Sequence, residues 1–568
     1  MTRRRPFSIR VARPRLLAGG AACVAVALTT AMARPEPPAS TAGGVDRVDR
    51  PPASGLVTLQ LLGVNDLHGH LEPSAPEQQR DGELVRTGGA AWLAAHLDRA
   101  ERSRPGRTIR VHAGDMVGAS PLVSSRAHDE PTVKAMNLMR FDVGTLGNHE
   151  FDEGGAEALR LVRGGRRNGA EAAKPDTAGS AVNTSDPAFA GAAFPYLAAN
   201  TVDRRGRGVL PPYTIVERAG VRVGFIGVTT ESSPDFLLER HASAQRFTDV
   251  SATVDRYARE LRRRGVEAIV VLAHAGGTER AGSGTARGEI IDETRQMTDA
   301  VDVVVAGHSH SVLDTRVRNR SGRGTKLVVE ASSYGEAYDR IELTVDRASG
   351  DVVAKAAEVP RTWHDRVDPH RGVAALVAAY ARSASAVAGQ RHGRAGQDFG
   401  RGGAGDSGTS DLGRLVADGQ RALAGADLAF VDPVAVRGSL AAGPLTYAEL
   451  FEISPADHPL VRTHMRGADV KRLLEEQFSD AETIRLHASG LSYQTDRSAP
   501  AGRRVTGIEL ADGRPLEPEQ TYTVAASELL ATGERFSTFR GQSRAAQRVG
   551  TEVEALVAEV ERRPAGFR

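Results

Sequence analysis

The sequence predicts an α/β fold, a layered sandwich of strands and helices, followed by a second, smaller α+β domain. Three observations lead there. Short apolar, β-prone runs alternate with stretches of helical periodicity, which is the pattern of layered α/β architecture. The runs end on polar residues able to bind a metal, and sites in such sheets gather at the carboxyl ends of strands. A glycine-rich stretch at residues 393–410 then precedes a segment with its own helix and short strands.

Taken in order, Leu56 to Val64 is apolar and ends at Asn65-Asp66-Leu67-His68, a first buried strand. Residues 72–86 are polar with two prolines and read as a loop, and Gly89 to Arg102 has helical spacing. Thr108 to His112 is a strand running into Gly114-Asp115. Pro131, placed just after Asp129 and Glu130, fits the first turn of a helix that reaches Arg140. Phe141 to Val143 leads into Gly147-Asn148-His149-Glu150-Phe151-Asp152. Residues 164–192 are rich in Gly, Ala, Asn and Asp and read as an exposed insertion. Phe194 to Val202 resumes as a strand, and Tyr213 to Glu217 with Val221 to Val228 reads as a hairpin. Thr248 to Arg264 is an amphipathic helix. Ala268 to Leu272 and Val301 to Ala306 are fully apolar strands, the first leading to His274 and the second to Gly307-His308-Ser309-His310. Lys326 to Ala331 and Arg340 to Val345 close this domain with antiparallel character. Residues 365–390 read as helical. Beyond the glycine-rich junction, Asp411 to Leu423 and Gly467 to Phe478 are helices, and Asp427 to Val431, Arg504 to Leu510 and Tyr522 to Ala525 are short strands.

At 568 residues the chain is long for one domain, and 40% apolar with 25% charged content is ordinary for globular protein. A net charge of +2 with scattered arginines gives no case for nucleic-acid binding. Residues 1–33 read as an export signal. Arg3, Arg4 and Arg5 open it, Leu16 to Thr30 is mildly apolar, and Ala31-Met32-Ala33 fits a cleavage site. That stretch falls short of the roughly 20 residues a membrane helix needs, so no stable membrane insertion is expected. Residues 34–55 read as a disordered spacer rich in Pro, Ala and Ser. The expected mature chain is a monomer, secreted or held in the cell envelope. It has no thiol, since Cys23 is the only cysteine.

A lone histidine at a strand end is usually structural. Five segments carrying Asp, Asn or His at strand exits are different, because each buried and unpaired carboxylate or imidazole costs several kcal/mol. Carboxylate, amide and imidazole without thiolate suit Mn, Zn, Fe or Ni.

The pattern Asp-x-His, Gly-Asp, Gly-Asn-His-Glu, His, Gly-His-x-His resembles the calcineurin-like metallophosphoesterases. The segment downstream is similar to the carboxy-terminal domain of bacterial periplasmic 5'-nucleotidases and 2',3'-cyclic-nucleotide phosphodiesterases. The resemblance implies a four-layer α/β/β/α metallophosphoesterase sandwich over residues 56–360, a linker helix and junction over 361–408, a substrate domain over 409–545 and a tail over 546–568. It implies two divalent metal ions. Asp115 would bridge them, Asp66, His68 and His310 would complete one site, and Asn148, His274 and His308 the other. His149, oriented by Asp152, would face the substrate as the catalytic pair. Glu150 is expected to support the site rather than bind metal.

The second segment departs from the family pattern. Arg437 keeps the arginine expected to meet substrate phosphate, but Asp432, Val434 and Ala435 stand where Asn, Gly and Gly are usual. His458 stands for an asparagine and is a second substrate-binding candidate. The resemblance implies two base-stacking aromatics, and Ala456 and Leu529 occupy their positions. Phe536 or Tyr493 would have to replace them, though core packing suits both. Stacking contributes about 1–3 kcal/mol per base. The expected partner is a small-molecule phosphate ester, a nucleotide first. A non-nucleotide or cyclic phosphate ester is the alternative, and an inactive secreted binding protein on the same scaffold is a reading of another class.

Overall fold

A computed structural model describes residues 55–73, 78–80, 82–167, 186, 188–279, 285–400, 409–478, 485–540, 546–563 and 566–567. The expected export signal, nearly all of the spacer, most of the 164–192 insertion and positions 401–408 of the junction lie outside these residues.

Two six-stranded sheets face one another. Across the first, the strands run Val352–Glu358, Asp339–Asp346, Leu56–Val64, Thr108–His112, Val143–Thr145 and Tyr196–Leu197. Across the second they run Val312–Arg318, Thr325–Ala331, Val303–Ala306, Ala268–His274, Val221–Thr229 and Tyr213–Arg218. The centre of each sheet is parallel. Leu56–Val64 pairs in parallel with Thr108–His112, and Ala268–His274 with both Val221–Thr229 and Val303–Ala306. A strand covered on both faces has no solvated side, so Ala268–His274 is buried at every position.

The inner layer is apolar throughout. Leu59, Leu61, Ile109 and Val111 of the first sheet meet Phe225, Val270, Leu272 and Val305 of the second. On the outer face of the first sheet, helix Ala90–Arg102 buries Leu93, Ala94 and Leu97 over Leu62 and Val64. On the outer face of the second, helix Val250–Arg263 buries Val254, Ala258 and Leu261. Its first turn is capped by Asp249, which accepts the Ala252 N–H at 2.7 Å. The result is the expected four-layer α/β/β/α sandwich. Two differences concern its margins. Phe194 to Val202 breaks into Tyr196–Leu197 and Thr201–Asp203. Thr325–Ala331 is antiparallel to Val312–Arg318 but parallel to Val303–Ala306.

Helix Arg371–Ala388 buries Val373 and Val377 in the same core as Leu93 and Met136. Its first half is therefore packed on the sandwich, while Val387 near its end shares a cluster with Tyr447, Phe451 and Val553 of the second domain. The second domain centres on a five-stranded sheet ordered His487–Ser489, Leu428–Val431, Thr521–Ser527, Pro459–Arg466 and Gln547–Thr551. Residues 546–568, expected as a tail, supply the edge strand Gln547–Thr551 and helix Glu552–Arg562. That helix buries Val553, Leu556 and Val560, and Leu556 and Val560 share a core with Leu415 and Val416 of helix Asp411–Ala424. Apolar residues three and four apart drive this docking, a stripe too short to stand out beside the charged residues around it.

Candidate active site at the strand exits

Parallel strands end at a common edge, so each ligand-bearing loop leaves its sheet at the same place. Asp66 and His68 follow Leu56–Val64, Asp115 follows Thr108–His112, and Asn148 follows Val143–Thr145. His274 is the last residue of its strand, and His308 and His310 follow Val303–Ala306. Five of these residues hold positive φ: Asp66 48°, His68 47°, Asp115 48°, His308 79° and His310 54°. Left-handed backbone at a non-glycine residue costs about 1–3 kcal/mol and persists where surrounding structure enforces it, most often at functional sites. Two glycines make room for this crowding. A Cβ on Gly147 would sit 2.1 Å from Asp115 Oδ1, and one on Gly118 would sit 2.4 Å from the His149 carbonyl.

All seven predicted ligands are brought together. Asp66, His68 and His310 form one group and Asp115, His274 and His308 another, and within each group the candidate ligand atoms lie within 4.8 Å of one another. His68 Nε2 is 3.7 Å from Asp66 Oδ1 and 3.7 Å from Asp115 Oδ2. His274 Nε2 lies 3.0 Å from Asp115 Oδ2 and 3.1 Å from Asn148 Oδ1. Hydrogen bonds fix the rings. His68 Nδ1 meets the Gly118 carbonyl at 2.8 Å and His274 Nδ1 meets the Ala113 carbonyl at 2.9 Å, so each donates there and turns Nε2 inward. Asp66 Oδ2 accepts the His308 N–H, while its buried Oδ1 has no hydrogen-bond partner.

The chemistry of this set fits divalent cations. His68 Nε2 and His310 Nε2 stand 3.2 Å apart, and carboxylate oxygens surround them. Lone pairs converging in a dry pocket repel one another unless a proton or a cation lies between them. Burial first, and then the Arg437 charge, hold His68 well below the usual imidazole range. Burial brings His308 down to about 3, with His274 adding to the effect. Both rings are therefore neutral and ready as ligands. Burial also works against a charged His274, but the Asp115 carboxylate outweighs it and lifts the ring to about 10. A metal ion would have to displace that proton.

Glu150 is buried and accepts three backbone N–H groups, from Asp115 at 3.0 Å, Met116 at 2.9 Å and Gly147 at 2.5 Å. It thus ties the loop of Asp115 to the loop of Asn148. Burial and the neighbouring Asp115 charge push its carboxyl up to about 8. Both oxygens accept N–H bonds, and these bonds together with the nearby His274 charge pull the other way, toward the carboxylate.

His149 and Asp152 meet as expected, Nδ1 to Oδ2 at 2.8 Å. Nδ1 donates, and Nε2 accepts from Arg437 Nη2 at 3.0 Å. Arg437 therefore reaches across from the second domain to the sandwich, and its buried Nη1 has no hydrogen-bond partner. His458 lies beside the cleft with Nδ1 3.5 Å from the buried Glu552. Burial opposes its charge, and Glu552 outweighs this and raises it above the ordinary imidazole range.

A cleft of about 420 Å³ opens over these groups. Its walls include Asp115, His149, Arg437 and His458, and also Ala456 and Leu529. Phe536 and Tyr493 are only 3% and 8% exposed and belong to the core of the second domain, so neither ring enters it. Sequence reasoning missed Phe236, Tyr334 and Arg535, all of which line the cleft. Nothing local marks them, because each sits in a loop whose position depends on the packing of distant elements.

A two-sheet sandwich with imidazole, amide and carboxylate groups crowded at its strand exits defines a metal-dependent hydrolase scaffold. Family models agree. Residues 59–312 match the calcineurin-like phosphoesterases and residues 387–540 match the 5'-nucleotidase C-terminal domain. The chain belongs to the calcineurin-like phosphoesterases that carry a 5'-nucleotidase C-terminal domain, a family of metal-dependent phosphoester hydrolases. It is 33% identical to "Endonuclease YhcR" of Bacillus subtilis (strain 168) over 478 residues, covering 84% of this chain and 37% of that protein. It is 33% identical to "Cell wall protein Lmo0130" of Listeria monocytogenes over 528 residues, covering 86% of this chain and 65% of that protein. The chain thus spans between about a third and two thirds of the length of these relatives. Among solved structures, a 5'-nucleotidase precursor from Thermus thermophilus superposes with a TM-score of 0.73 at 27% identity, covering 90% of this chain and 99% of that one. Among the described residues, no helix is long and apolar enough to cross a membrane.

Proposed function

We propose that this chain is an exported phosphoesterase that uses two divalent metal ions, such as Mn, Zn or Fe, to hydrolyse phosphate esters of nucleotides. The observation that carries the reading is the convergence of seven side chains able to hold a metal at the exits of the central parallel strands of two facing sheets, beside the His149–Asp152 pair. In this reading Asp66, His68, Asp115 and His310 would hold one ion, and Asp115, Asn148, His274 and His308 would hold the other. Such a pair supplies positive charge for the phosphate oxygens and an acidified water at neutral pH. Asp152 accepts from Nδ1 and fixes the His149 ring, so that Nε2 faces the leaving oxygen and acts there as the general acid. Arg437 gives up its contact with His149 and binds a phosphate oxygen through its free Nη1. His458 lines the wall beyond His149 and contacts the ester group. Export is supported by the Arg3 to Arg5 start with its apolar stretch, and by similarity to a cell wall protein.

Exhaustive chelation is expected to abolish p-nitrophenyl phosphate hydrolysis, and added Mn to restore it. Asp115→Asn is expected to cost at least about 10³-fold in rate, since it removes the shared ligand. Activity that survives chelation, or near-normal turnover in Asp115→Asn, overturns the reading. A second reading, hydrolysis of a non-nucleotide or cyclic phosphate ester, is favoured by Ala456 and Leu529 in the cleft walls where rings would stack on a base.

A further inference from the structure

The cleft lacks rings at 456 and 529, yet it is not without aromatic surface. Its described lining includes Tyr334 and Phe236. Tyr334 lies nearly flat on His70, with ring centroids 3.9 Å apart and planes 28° apart, and one of its faces is thereby used. Phe236 ends the short turn Ser233–Phe236 and is half-buried. Its ring stands edge-on to His308 at 5.1 Å and 85°, which anchors it beside the proposed phosphate site. Over its face lies the Arg535 guanidinium, 5.9 Å from the ring centroid. Arg535 comes from the second domain, and its Nη1 donates to Asp432 at 2.7 Å. Asp432 in turn accepts the Val434 N–H, so the carboxylate that holds the guanidinium is itself fixed.

We propose that Phe236 and Arg535 are the two faces of a slot that receives the nucleobase, in place of an aromatic pair. The proposal rests on the reading above that this cleft takes a phosphate ester. Phenyl and guanidinium groups are both flat and both stack on the π-face of a base. Asp432 grips Arg535 by its edge, which leaves the guanidinium faces available. At 5.9 Å the contact is near the ~6 Å outer limit for a cation over a ring, so the pair is loosely closed. A guanidinium that pivots about its Asp432 contact admits a ring and settles over it. Asp235 and Asp432 line the same part of the cleft and offer acceptors for exocyclic amino groups. The base is then held from both domains at once, by Phe236 of the sandwich and Arg535 of the second domain.

The test compares kcat/KM for adenosine 5'-monophosphate and ribose 5-phosphate, with Mn present, in the wild type, Phe236→Leu, Phe236→Tyr and Arg535→Ala. The ratio of the two substrates is expected to fall about tenfold in Phe236→Leu and in Arg535→Ala, and to stay near wild type in Phe236→Tyr. A wild-type ratio in both Phe236→Leu and Arg535→Ala overturns the slot. A second arm needs no turnover: saturation-transfer NMR of adenosine with the metal-free protein. Adenine ring protons are expected to receive saturation from the wild type and not from Phe236→Leu. No adenosine signal from the wild type overturns the slot. Adenosine binding that depends on Phe236, without hydrolysis of any ester, supports the slot and overturns the catalytic reading instead.

Discussion

Replacing Glu150 with glutamine keeps side-chain shape and volume and removes one hydrogen-bond acceptor. Oε2 of Glu150 takes two N–H groups, from Asp115 and Gly147, while Oε1 takes one, from Met116. The glutamine oxygen can replace only one of these. Kept at the Oε2 position, it turns the amide nitrogen toward the Met116 N–H, donor against donor. Turned the other way, it strands two N–H groups. The better choice leaves one buried donor unpaired, at a cost of about 1–3 kcal/mol. That cost falls on the loops that position Asp115 and Asn148. Residues supporting metal ligands in this way typically change metal affinity about 10–100-fold when altered. Metal titration against a chromogenic chelator, with thermal unfolding of the metal-free protein, reads both effects. Weaker metal binding and earlier unfolding are expected. A Glu150→Gln protein with wild-type values in both would refute the idea that this carboxylate ties the two loops together.

Gly147→Ala places a methyl group 2.1 Å from Asp115 Oδ1 and is expected to displace that carboxylate. Elemental analysis of the purified variant should find its metal largely gone. Asp152→Asn leaves His149 without a charged partner, and kcat is expected to fall about 10²-fold or more with metal content unchanged. His487 is buried, and burial alone brings its ring down to about 4. The unfolded chain takes up that proton near its ordinary value of about 6.5 and the folded chain does not. Its contribution to stability is present above that value and is lost as pH falls through it, by up to about 3 kcal/mol at pH 4. Urea unfolding from pH 7 to pH 4 should show a shallower acid loss in His487→Phe than in wild type.

The candidate ligands were legible because each stands in a short motif directly after an apolar run. Asp66, Asp115, Asn148, His274 and His308 all lie where parallel strands end, and strand ends are written locally in hydrophobicity. The pairing of His149 with Asp152 was legible for the same reason, since three residues in a tight turn cannot place them far apart. Edges and contacts between domains were not. The strand Gln547–Thr551 is mostly polar because one side of an edge strand meets water, so no apolar run announced it. The edge strand Val352–Glu358 escaped notice in the same way, since its burial pattern has no fully covered position.

The sequence by itself determined the layered fold, the order of the strands' polar exits and the chemical type of the metal-binding groups. Those depend on local hydrophobic pattern and on which side chains can hold a cation. Only the tertiary structure decided that Arg437 meets His149, that Ala456 and Leu529 face the cleft while Phe536 and Tyr493 are buried, and that Phe236 meets Arg535. These are contacts between groups far apart in the chain. Their distances follow from how two domains pack, and no stretch of neighbouring residues carries that information.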